Sequence, residues 1–94
     1  MQGNLKELKN ASELAVSALV FLAADPERLG RFLALSGIDP QTIRLAAKEP
    51  GFLAGVLEHI SGDEKLLLAF AEENQVRPQE VSRARALLAG PMPE

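Results

Sequence analysis

Apolar residues in this chain come in short blocks, several of them opened by a polar residue and a proline. "DPERL" begins at Asp25, "DPQTI" at Asp39, "EPGFL" at Glu49 and "RPQEV" at Arg77. Proline suits the first turn of a helix, where its missing N–H has no intrahelical partner to lose. Aspartate before it accepts backbone N–H bonds from that turn. The repeats therefore predict helix beginnings, strongly capped at Asp25 and Asp39 and more weakly at Glu49 and Arg77. Leu29, Ile43, Leu53 and Val81, three residues past each proline, are then the first to face a core. Ser61 and Glu64 have the spacing of a capping box and predict a fifth start.

Six helices follow, over residues 5–23, 26–35, 40–48, 50–60, 63–74 and 78–89. The fourth has the cleanest stripe: Phe52, Leu53, Val56, Leu57 and Ile60. The first (Val16, Leu19, Val20, Phe21, Leu22) and the fifth (Leu66, Leu68, Phe70) carry apolar residues all round, the pattern of a centrally buried helix. Cover by neighbouring helices is the favoured reading of that surplus, and an exposed partner surface is the alternative. No stretch alternates with period two, and β-branched residues are sparse. The expected fold is all-α: a single compact orthogonal bundle of five to six short helices. It occupies residues 1–90, with "GPMPE" supplying a flexible tail at 91–94. Prolines 26, 40, 50 and 78 fit no solenoid period.

Composition narrows the chemistry. The 94 residues include four Phe and no Tyr, Trp or Cys, so an aliphatic core is expected, with neither a disulfide framework nor a thiolate nucleophile. Thirteen acids against ten bases give a formal charge of -3, which offers no general attraction to nucleic acid or anionic lipid. The apolar run 14–24 is too short to span a bilayer, and the acids before it make a poor signal peptide. A soluble, cytoplasmic protein without membrane contact is expected.

The single histidine, His59, has Asp63 four residues on, but a helix break between them and the lack of a third ligand argue against a metal. Near a helix C-terminus, a partly charged imidazole suits the helix dipole. The motif G-x-S-x-G is absent, and the glycines are dispersed rather than gathered in a phosphate loop. No catalytic residue, no metal, no cofactor and no enzyme activity are expected.

The best local match to a functional motif is Arg31–Ala47, which resembles a helix-turn-helix through Gly37, Ile38 and Ile43. Its reading surface would be Gln41, Thr42, Arg44 and Lys48, bracketed by the opposing charges Asp39 and Glu49. Arg77, Arg83 and Arg85 read as a solvated helix face. The leading expectation is a non-catalytic protein–protein interaction or adaptor domain, self-association included. Its contacts would come from the mixed charges Asp25, Glu27, Arg28 and Arg31 and from exposed apolar residues such as Leu68. Nucleic-acid binding through the helix-turn-helix-like segment is the alternative.

The blocks "FLAADPERLGRFLALSGIDP", "FLAGVLEHISGDEKLLLAF" and "RPQEVSRARALL" are similar to those of a small alphaproteobacterial family of unknown function, DUF3572, over residues 18–88. That resemblance implies a cytoplasmic bacterial protein of about this size, with no assigned activity or site residues and a link to signalling.

Overall fold

In the computed structural model the backbone is described over residues 2–89, and side chains over 7–39 and 41–89. The elements are α1 (Gln2–Ala23), α2 (Pro26–Ser36), a 3-10 turn (Pro40–Thr42) that runs into α3 (Ile43–Ala46), α4 (Pro50–Ser61), α5 (Glu64–Asn74) and α6 (Pro78–Ala89). No strand occurs among the described residues, and the chain is an all-α bundle. Its radius of gyration, 12.8 Å, is close to the ~12 Å of a compact chain of this length. The expected tail at 91–94 lies outside the described residues.

α4 is the central element. Leu53, Ala54, Val56, Leu57 and Ile60 are buried, and the helix packs against α1, α5 and α6. α1 meets it with Ala11, Ala15 and Ala18, then Phe21 and Leu22, all buried. Those positions recur at i, i+4, i+7 and i+11, one face of a helix, and small side chains there permit close approach. α6 supplies Val81, Ala84 and Leu88. α5 supplies Ala71 and Phe70, whose ring stands edge-on to Phe21 with centroids 5.5 Å apart.

α2 is held differently. Phe32 is its one buried residue, and the ring stands edge-on to Phe52 at 5.9 Å and to His59 at 5.1 Å, both on α4. The Arg28 guanidinium lies over the Phe21 ring, 4.3 Å from its centroid, a cation–π contact that ties α2 to the end of α1.

The helix ends follow local chemistry. The Asp25 carboxylate accepts the Glu27 N–H at 3.0 Å, and the Asp39 carboxylate accepts the Gln41 N–H at 2.9 Å. Gly37 closes α2 at φ 75°, where glycine bears no Cβ penalty. Its N–H donates to the Leu33 carbonyl at 2.9 Å. Gln75 closes α5 in the same left-handed region, φ 56°. The Val76 N–H reaches the Ala71 carbonyl and the Gln75 N–H reaches that of Glu72, at 3.0 and 3.3 Å, the paired bonds of a Schellman motif.

Three expectations need correction. Ser61 does not cap α5. It is the last residue of α4, its hydroxyl is buried without a partner, and Asp63 is the cap, accepting from Lys65 and Leu66 at 3.1 and 3.3 Å. The helix expected over 40–48 is a 3-10 turn followed by one turn of α-helix. The Thr42 N–H bonds back to Asp39, and those of Lys48 and Glu49 to Leu45 and Ala46, each three residues. Pro50 then keeps Glu49 extended, at φ -92° and ψ 124°. Finally, α1 and α5 are not covered all round: Val20 is 63% exposed and Leu68 51%. Both lie off the face that carries the buried residues of their helix.

Candidate functional site

α2 and the corner between α4 and α5 enclose an open groove of about 670 Å³. Glu27, Arg31 and Leu35 reach it from α2, at i, i+4 and i+8, hence from one face of that helix. Glu58 and His59 line it from α4, and Gly62, Asp63 and Leu66 from the corner beyond. α2 is seated by Phe32, with Leu29 and Leu33 packed against the core beside it, which leaves Glu27, Arg31 and Leu35 exposed along the groove.

The four charged residues expected to form an interaction segment all line this groove, yet they divide into two kinds. Asp25 and Arg28 serve the fold. The Asp25 carboxylate caps α2 and lies 3.7 Å from the Arg28 guanidinium, which itself covers Phe21. Glu27 and Arg31 are exposed and make no ion pair among the described residues. Leu35 lines the same groove, and at 73% exposure it is the most exposed large apolar side chain described. Sequence reasoning missed Leu35, Glu58 and Leu66 as groove residues. The spacing of Leu35 to Arg31 and Glu27 carries a signal, but the opposite wall comes from residues more than twenty positions away.

His59 also belongs to the groove. Burial lowers its pKa below the ordinary histidine value, the Arg31 guanidinium lowers it further, and Asp63 opposes both. Burial and the Arg31 cation thus favour the neutral imidazole and work against the partly charged ring that the helix dipole would suit.

No serine lines the groove, and the described residues hold no group of three or more His, Asp or Glu able to grip a metal ion. No helix of the described residues is long and apolar enough to cross a membrane.

The helix-turn-helix-like segment is built from α2, the turn at Gly37 and the short α3. Gln41, Thr42, Arg44 and Lys48 are all exposed. The element that carries them offers a single α-helical turn to a groove-shaped target. Leu68, on α5, is exposed but lies outside the α2 groove.

The molecule is thus a small all-α bundle with an open groove lined by charged residues and an exposed leucine. Residues 8–91 match the family described as a protein of unknown function, DUF3572, and the chain belongs to it. No curated protein and no solved structure is significantly similar to it.

Proposed function

We propose that this chain is a non-catalytic protein-interaction domain that docks a partner segment in the groove between α2 and the α4–α5 corner. One observation carries the reading: Leu35, 73% exposed, shares its groove with Glu27, Arg31 and Glu58, none of them in an ion pair among the described residues. An apolar centre with a charged rim is the anatomy of a protein interface, in which the centre supplies most of the affinity. A cytoplasmic location and a place in signalling belong to the same proposal, through the family resemblance.

The test is capture from a lysate of the source organism, with nuclease added. A partner recovered in near-equal amount with the wild-type chain, and lost with Leu35→Asp, is the expected result. Equal recovery with both chains would place the interface elsewhere. Leu35 is exposed, so the substitution leaves the core intact.

Nucleic-acid binding is the second reading, supported by the exposure of Gln41, Thr42, Arg44 and Lys48. It predicts duplex binding that weakens steeply with salt and is lost with Arg44→Glu. The brevity of α3 and the flanking acids Asp39 and Glu49 favour the protein partner.

A further inference from the structure

A second groove, of about 580 Å³, runs between α1 and α6 and shares no lining residue with the first. Its floor is apolar, formed by Ala11 and Leu14 of α1 and by Ala84 and Leu87 of α6. Arg83 is already neutralised by Glu7, whose carboxylate accepts its N–H at 3.0 Å. The other two acids of the groove, Glu13 on α1 and Glu80 on α6, both line it without an ion pair among the described residues. Such a groove suits an apolar side chain flanked by two cations.

The same chain presents that group. Leu45 is 70% exposed, with Arg44 beside it and Lys48 one turn on, both exposed and neither in an ion pair among the described residues. Knob and groove are neighbours, because Glu13 also lines a shallow depression shared with Val16 and Lys48. We propose that the chain forms a two-fold dimer in which the Leu45 knob of each copy enters the α1–α6 groove of the other, with Arg44 and Lys48 meeting Glu13 and Glu80. A two-fold axis makes the exchange reciprocal, so both knobs and both grooves are filled and the assembly closes. This pairing does not rest on the partner groove at α2, and it is read in purified protein alone.

Sedimentation equilibrium tests it. The wild-type chain should self-associate with concentration and less so at high salt, and Leu45→Asp should weaken association by about tenfold or more. A charge exchange separates a lost contact from a damaged fold. One chain carries Arg44→Glu and Lys48→Glu, and a second carries Glu13→Lys and Glu80→Lys. Each alone opposes like charges at every contact and should stay monomeric, whereas their mixture restores both contacts and should form a one-to-one dimer. A wild-type chain that is monomeric at every concentration overturns the proposal. So does a dimer that survives Leu45→Asp, or a mixture that fails to pair although both chains give helical circular dichroism.

Discussion

Phe32 and His59 decide how α2 is attached. Phe32 is the one buried residue of that helix, set between two rings of α4. Phe32→Ala should therefore cost about 3–5 kcal/mol in urea unfolding, with early loss of protection in α2 amides. A loss under 1 kcal/mol would mean that Arg28 on Phe21 is the real anchor. His59 makes the attachment pH-dependent. Its folded pKa lies below the unfolded value of about 6.5, so the unfolded chain binds a proton more readily. The penalty is absent above that pH and grows as pH falls through 6.5 toward the folded pKa. Stability should drop across that window, and His59→Gln should flatten this part of the profile. An NMR titration placing His59 above 6.5 in the folded chain would contradict the assignment. Part of this was legible beforehand: His59 near a helix end could be read from the sequence, whereas the ring and the cation that lower its pKa come from another helix.

The helix starts were the most legible feature at the level of elements, because capping is a local matter between an Asp side chain and the next two amides. Asp25 and Asp39 were readable for that reason, and α6 was bounded correctly at Pro78 and Ala89. Ser61 misled because a capping box is a spacing, and Asp63 offers a better acceptor two residues later. Substituting Asp63→Ala should lower stability by ~1 kcal/mol and Ser61→Ala should not, since its hydroxyl has no partner. Gln75 is the converse case. It occupies a left-handed position that favours glycine, at φ 56°, so Gln75→Gly should raise stability by about 1 kcal/mol in thermal unfolding. A destabilised variant would indicate that the Gln75 side chain contributes an unrecognised contact. The third helix was misjudged because Thr42, Lys48 and Glu49 bond three residues back, and apolar spacing over so short a segment does not separate 3-10 turns from α-helix.

For the whole molecule, the all-α bundle follows from periodicity, and Leu53, Val56, Leu57 and Ile60 mark the buried face of α4. Yet periodicity pointed to the first and fifth helices as central, whereas α4 holds that place. Which apolar residues stay outside was not legible. The buried stripe of α1 consists largely of alanines, so Val16 and Val20, the bulkier residues, look more like core than the true core does. Exposure is a property of neighbouring helices, and it leaves Leu35, Leu45 and Leu68 on separate elements, each a distinct surface. Two grooves with no residue in common give the chain room for a partner at α2 and a second copy at α1–α6.

In the proposed function, partner binding goes through the α2 groove. The most direct measurement compares how much partner is recovered by wild type, Leu35→Asp, Leu45→Asp and Leu68→Asp chains from one nuclease-treated lysate. Loss with Leu35→Asp alone is the expected result. Retention by Leu35→Asp together with loss by Leu68→Asp would move the interface to α5 and contradict it.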